Sequence, residues 1–177
     1  LMTEIDEQLG RIFDYLKATN QYDSTLIVFT SDHGEQLGDH YLFGKLGYFD
    51  ASYHIPLIIR DPKRQLQKVK TLEHFSESVD VMPTILDWLG LEIPDQCDGR
   101  SLLPFLENEV PRNWREEVHS EFDFRWIGSY QPMIEERFGL LPDECSLVII
   151  RDDDYKYVHM TALPPLFFDL KRDPGEF

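Results

Sequence analysis

The sequence predicts an α/β fold, and three observations carry that expectation. An amphipathic pattern from Thr3 to Thr19 is followed by a continuous apolar run, Thr25-Leu26-Ile27-Val28-Phe29-Thr30, and polar residues stand at the carboxyl end of that run. Unbroken β-rich runs are typical of strands covered on both faces, as in parallel sheets between helices. Open α/β sheets place their ligands just beyond the carboxyl ends of such strands. The length, 177 residues, suits one domain. With 42% hydrophobic and 13% aromatic residues there is enough apolar material for a sizeable core, which excludes whole-chain disorder.

In the first helix, Ile5, Leu9, Ile12, Phe13 and Leu16 recur at three- and four-residue spacing, with Thr3 as its expected N-cap and Asn20 as its stop. Between residues 38 and 49, Gly38, Gly44 and Gly47 interrupt any period, so a loop is expected. Ile55-Pro56-Leu57-Ile58-Ile59 reads as a second strand, and Pro56 fits a strand start or an edge. Asp61 to Lys70, carrying Lys63, Arg64, Lys68 and Lys70, reads as a solvated connection. Asp80 is placed to cap a helix from Val81 to Leu89, Pro83 is tolerated in its first turn, and Gly90 supplies a left-handed stop. Ser101 is a candidate cap for a shorter helix through Leu106.

Beyond Pro111 the texture changes to short strand candidates: Glu117 to Phe122, Leu147 to Arg151, Tyr155 to Met160 and Leu166 to Leu170. Asp152-Asp153-Asp154 is a three-residue hairpin connection between two of them. Residues 1–110 are therefore expected to form α/β structure, and residues 111–177 a small antiparallel subdomain.

Lys and Arg total 17 against 33 Asp and Glu, a net charge of −16, and no basic block is present. Binding to nucleic acid rests on neutralising phosphates, so that class is set aside. No apolar run approaches the roughly 20 residues of a membrane helix. Cys97 and Cys145 lie far apart in no metal-type spacing, which suggests reduced thiols and a cytoplasmic setting. Leu1-Met2-Thr3 has neither the basic nor the apolar region of a signal peptide.

The chemistry concentrates after Thr30. Asp32 and His33 are adjacent; on a regular strand they would point to opposite faces, but at a turn they can converge. A carboxylate with a neutral imidazole suits a divalent ion, and mixed oxygen and nitrogen ligation favours Mn²⁺, Zn²⁺ or Fe²⁺ over Ca²⁺. On the residues alone a second reading stands beside it, with Asp32 capping a turn and His33 simply hydrogen-bonded. Lys45, between Gly44 and Leu46, can return toward the strand end and supply the local cation that an acidic protein needs beside an anionic substrate. An ordinary solvated lysine is the other reading.

His40 is a candidate for orienting the ligands or for packing in the loop, whereas His54, His74, His119 and His159 have no ligand spacing and read as structural. The acidic triple at 152–154 and Asp98-Gly99-Arg100 read as turns, and neither cysteine sits in a nucleophile setting.

The segment Phe29-Thr30-Ser31-Asp32-His33-Gly34-Glu35-Gln36-Leu37-Gly38-Asp39-His40-Tyr41-Leu42-Phe43-Gly44-Lys45 resembles the sulfatase family of the alkaline phosphatase superfamily. The resemblance continues through Ile55 to Ile59, Ser78 to Leu86, Asp98 to Pro104, Leu166 to Leu170 and Asp173-Pro174. Tyr155-Lys156-Tyr157-Val158-His159 and Leu163-Pro164-Pro165 are most similar to its phosphonate monoester hydrolase and arylsulfatase branch.

The resemblance implies an alkaline-phosphatase-like fold, of which this chain is the C-terminal portion of a mainly parallel, helix-flanked sheet with a small antiparallel subdomain. It implies a hydrolase of sulfate, phosphate or phosphonate esters using a divalent metal (Mn, Zn or Ca), with Asp32 and His33 as two ligands and Lys45 on the anionic ester oxygens. It also implies a small anionic ester substrate, no membrane or nucleic-acid partner, and a homo-oligomeric intact enzyme.

The family's nucleophile is a formylglycine made in a Cys/Ser-x-Pro-x-Arg motif, which this sequence does not contain, so the nucleophile is expected upstream. His54 stands where arginine is common, which leaves the substrate subclass open. Two alternatives remain: a phosphodiesterase or nucleotide-pyrophosphatase-like member of the superfamily, and a non-catalytic interaction module that retains the fold.

Overall fold

The computed structural model describes residues 2–64, 71–124 and 131–177. The chain forms two compact units, Leu1–Ser31 with Pro56–Thr71, and Asp32–Ile55 with Leu72–Phe177. Lys68 and Lys70 of the expected solvated connection lie outside the described residues.

The first unit begins with helix α1, Met2–Ala18. It starts ahead of Thr3, so Thr3 is inside the helix and the expectation that it caps is corrected. The stop at Asn20 holds: Asn20 takes φ +57°, its N–H donates to Lys17 O at 3.1 Å, and Gln21 N–H donates to Leu16 O at 2.8 Å. These two bonds are a Schellman closure built on a left-handed asparagine. A short turn, Tyr22–Ser24, leads to strand β1, Ile27–Thr30. The Phe13 ring meets Tyr22 edge-on at 6.2 Å. Arg60 lies over the Tyr22 ring at 3.8 Å and donates to Tyr22 O at 2.7 Å and Thr25 O at 3.2 Å.

Strand β2, Leu57–Arg60, pairs with β1, Ile27 opposite Arg60 and Thr30 opposite Leu57. That pairing is antiparallel, which corrects the parallel expectation for these two strands. An unbroken apolar run carries no information on the direction of the neighbour, and here the strands are not covered on both faces, with Ile58 61% exposed.

The second unit holds a four-stranded antiparallel sheet, order β3-β4-β5-β6: β3 Val118–Asp123, β4 Ser146–Arg151, β5 Tyr155–Met160 and β6 Leu166–Asp169. The connection at residues 152–154 is the expected hairpin: Asp152 Oδ1 accepts the N–H groups of Asp154 at 2.8 Å and Tyr155 at 2.6 Å. Alternation aims Leu147 and Ile149 of β4 and Val158 of β5 into one core, against Tyr48, Tyr53, Phe122, Met160, Leu166 and Phe168.

Helix α2, Asp50–Tyr53, follows the glycine-rich loop, and α3, Val81–Leu89, ends at Gly90 with φ +71° as expected. Helix α4 is Leu103–Leu106, with Ser101 Oγ accepting Leu103 N–H at 3.2 Å. A further helix, α5, Gln131–Phe138, has no counterpart in the sequence reading.

Asp80 does not cap α3 with its side chain. It is instead the far member of a capping box whose cap is Glu77, on the short turn Ser78–Asp80. The reason is a stronger partner: Asp80 is fully buried and its carboxylate takes both arms of the Arg115 guanidinium, one at 2.7 Å, plus the N–H groups of Glu77 and Arg100 at 2.8 Å. Arg115 also reaches Glu77 at 3.2 Å. Thr84 Oγ donates to Asp80 O at 2.6 Å and accepts Leu102 N–H at 2.9 Å, tying α3 to the start of α4. No helix among the described residues is long and apolar enough to cross a membrane.

Removing one member of a buried ion pair leaves an uncompensated charge, at a cost of about 3–5 kcal/mol. Arg115→Ala is expected to lose that much stability in urea denaturation, and an unchanged midpoint would contradict the pairing.

Candidate active site

The sequence-predicted site residues all fall in the second unit. Asp32 and His33 follow β1 in the chain, and Lys45 lies on the loop between them and α2. The backbone bends at Asp32, and Gly34 then comes close to α2: its N–H donates to Ser52 O at 2.8 Å, and a Cβ there would stand 2.0 Å from Ala51 O. Only glycine permits this approach. The turn breaks the strand alternation, so adjacent side chains meet.

Asp32 and His33 are brought together, with His33 Nε2 3.4 Å from Asp32 Oδ2. His33 Nδ1 lies 2.8 Å from Gly34 O. A carbonyl can only accept, so Nδ1 carries the proton, and in the neutral ring the Nε2 lone pair faces the carboxylate. Asp32 Oδ1 also accepts His33 N–H at 3.1 Å.

Partial desolvation pushes the Asp32 carboxyl up, but hydrogen bonds from the Asp32 and His33 backbone and the charges of His33 and Lys45 outweigh it. The net pKa lies below the ordinary value. Lys45 is thus close enough for its charge to act on Asp32, and it is exposed to solvent.

The donor set fits a divalent ion. Ligand atoms about 2.0–2.2 Å from a small metal stand roughly 3–3.5 Å apart, and Nδ1–H bonded to a carbonyl is the arrangement that leaves Nε2 available to ligate. Two donors are a partial set. Among the described residues no group of three or more His, Cys, Asp or Glu is positioned to hold a metal.

His40 does not join them. Its ring stacks on Phe49 at 3.6 Å, with Phe177 at 4.7 Å, so it packs the loop. His74 stacks near Phe105 and His119 lies beside Glu117, both away from Asp32 and Lys45 in their contacts.

Two neighbours escaped the sequence reading. Glu35 Oε1 accepts Gly44 N–H at 2.5 Å. Gln36, fully buried, donates its backbone N–H to Gly44 O at 2.8 Å and its amide to Ser52 Oγ at 2.8 Å. A polar side chain in a glycine-rich stretch carries no sequence signal of burial.

The loop that carries Lys45 is fixed at its far end by charge. Lys156 of β5, only 1% exposed, donates to Asp50 Oδ1 at 2.8 Å and to Glu176. Glu176 Oε2 accepts Asp50 N–H at 2.8 Å, and Arg151 Nε reaches Asp50 Oδ2 at 3.0 Å. Burial raises the Asp50 carboxyl, but Lys156 first and Arg151 second more than reverse this, and its pKa is depressed.

The sequence model of the family described as Sulfatase matches residues 1–91, just over half of the chain. The chain belongs to the sulfatase family.

Among the relatives of this sulfatase chain, the multifunctional alkaline phosphatase superfamily protein PehA of Trinickia caryophylli is 59% identical over 177 residues, covering 100% of this chain and 34% of that protein. An N-acetylglucosamine-6-O-sulfatase of Bacteroides thetaiotaomicron is 34% identical, over 97% of this chain and 29% of that protein. The crystal structure of the phosphonate monoester hydrolase of Agrobacterium radiobacter superposes with a TM-score of 0.88 at 48% identity, over 99% of this chain and 34% of that one. The α/β fold is therefore that of the sulfatases, and the chain spans about a third of the length of these relatives.

Because the Asp50 pKa is depressed in the folded sulfatase chain, its pairing stabilises the fold fully above the ordinary carboxylate value, and that stability is lost as pH falls through the folded value. The urea midpoint is expected to fall below about pH 4, and Lys156→Met is expected to make that fall shallower. A wild-type midpoint that stays flat on acidification would refute the coupling.

Proposed function

We propose that this chain is the C-terminal part of a metal-dependent hydrolase of sulfate, phosphate or phosphonate esters, in which Asp32 and His33 hold the metal and Lys45 binds the anionic ester. The single observation that carries the reading is the facing pair of Asp32 Oδ2 and His33 Nε2, 3.4 Å apart, with Nδ1 already committed to Gly34 O. A lone pair and a carboxylate aimed at each other are relieved by protonation of the ring or by a cation between them, and the family offers a divalent metal for that place. When bound, such an ion supplies Lewis acidity and lowers the pKa of the nucleophile it contacts.

The chain's own residues do the rest. His33 presents Nε2 because its other nitrogen is held by Gly34 O, and hydrogen bonds from the Asp32 and His33 backbone, with the Lys45 charge, favour the ionised Asp32 carboxylate. The Lys45 ammonium draws a monoanionic ester toward an otherwise acidic protein and stabilises its non-bridging oxygens as charge develops on them. The nucleophile, a formylglycine in this reading, and the remaining metal ligands belong to the part of the longer enzyme outside this chain, which itself lacks the Cys/Ser-x-Pro-x-Arg motif.

In the longer enzyme, Asp32→Ala and Lys45→Ala are each expected to lower kcat/KM by at least about a hundredfold, the scale of one lost electrostatic stabiliser. Near wild-type turnover by both variants would defeat the assignment. The 177-residue chain assayed alone with p-nitrophenyl sulfate, phenyl phosphonate esters and Mn²⁺ is expected to give no appreciable turnover; robust turnover would place the chemistry entirely within it and overturn the division of labour.

A further inference from the structure

Gln36 stands out because its two ends have opposite fates. It is fully buried, and its amide nitrogen donates to Ser52 Oγ at 2.8 Å and, more weakly, to Leu46 O at 3.4 Å. Its amide oxygen Oε1 is buried with no hydrogen-bond partner among the described residues. A buried acceptor without a partner destabilises the fold. A methionine of nearly the same length would fill the space without burying that oxygen, so the amide is unfavourable for stability on its acceptor side, and its effect must lie in what its donors hold.

Gln36 holds the two residues that flank Lys45, Gly44 by its backbone and Leu46 by its side-chain amide. The backbone N–H of Gln36 donates to Gly44 O at 2.8 Å, and its side chain reaches Leu46 O. Glu35, one residue earlier, accepts Gly44 N–H at 2.5 Å. Gln36 is three residues past His33, and its anchor Ser52 is the same residue whose carbonyl accepts Gly34 N–H. One buried side chain therefore links the turn that presents Asp32 and His33 to the segment that presents Lys45.

We infer that Gln36 is a positioning residue: its side-chain amide ties Leu46 to Ser52, and so steadies the Lys45 ammonium relative to Asp32 and His33. This rests on the reading of Lys45 given above. Displacing a catalytic group by about 1 Å can cost up to a hundredfold in rate, so loss of the clamp acts on turnover more than on folding.

The test uses the longer enzyme and a p-nitrophenyl sulfate or phenyl phosphonate ester. Gln36→Met is expected to lower kcat by about tenfold or more, with KM changing less than kcat and with a thermal midpoint equal to or above wild type. In a Lys45→Ala background the same substitution is expected to add no further loss, because both changes remove one function. Ser52→Ala, which frees the amide from its anchor, is expected to lower kcat in the same sense and serves where Gln36→Met does not fold. Full kcat in both variants, or a loss that multiplies with that of Lys45→Ala, overturns the inference while leaving the reading of Lys45 intact. Wild-type turnover by Lys45→Ala overturns that reading, and this inference with it.

Discussion

A single buried ammonium organises the second unit. Lys156 projects from a central strand of the antiparallel sheet, almost wholly out of water, and a lone charge there would be intolerable. It is tolerated because Asp50 and Glu176 converge on it, one from the first residue of α2 and the other from next to last in the chain. Glu176 in addition accepts the Asp50 N–H, so the first turn of α2 is bound by its backbone as well as by its side chain. Three stretches far apart in sequence are thereby joined, because separating any one of them would strand a charge in a low-dielectric interior.

From Asp50 the constraint passes by ordinary hydrogen bonds to the candidate site. Asp50 opens α2; Ser52, two residues on, accepts Gly34 N–H with its carbonyl and the Gln36 amide with its hydroxyl. Phe49, just before Asp50, covers the His40 ring. The loop is thus pinned at its base by charge and along its length by polar contacts, and it needs such support. Leu37, His40 and Tyr41 all adopt positive φ, a conformation that costs free energy for residues with a side chain. The Asp80–Arg115 cluster plays the corresponding part for α3 and α4.

The sequence displayed what is local and hid what is not. Strands β4 to β6 and their hairpin were legible because alternation and an Asp-rich turn are signals within a few residues, and the ends of α3 and α1 were legible in Gly90 and Asn20. The direction of β1 against β2 was not, since a run apolar on both faces does not encode it. Asp80 resembled a cap because its partner Arg115 lies 35 residues away, and the burial of Lys156 carries no local signal because its partners come from residues 50 and 176. Helix α5, with four charged or amide side chains among its eight residues, offered no clean apolar stripe. Asp32, His33 and Lys45 stood out as candidates from the resemblance of the segment that carries them, whereas Gln36 did not, because a neutral amide in a loop says nothing of burial until the fold closes around it.

The geometry at His33 shows why residue type alone was insufficient there too. Adjacent residues on a strand diverge, so an Asp-His pair acquires common chemistry only where the backbone departs from strand geometry, and here it bends at Asp32. Gly34 then lies where a Cβ would strike Ala51 O, and its carbonyl accepts the Nδ1–H, which sets the tautomer of the imidazole. With that nitrogen committed, the ring meets Asp32 through Nε2 in one of two forms: as a lone pair needing a positive charge between them, or as an imidazolium that supplies the charge itself. The pair therefore sets a carboxylate oxygen and a ring nitrogen 3.4 Å apart, with the Lys45 charge near enough to act on Asp32.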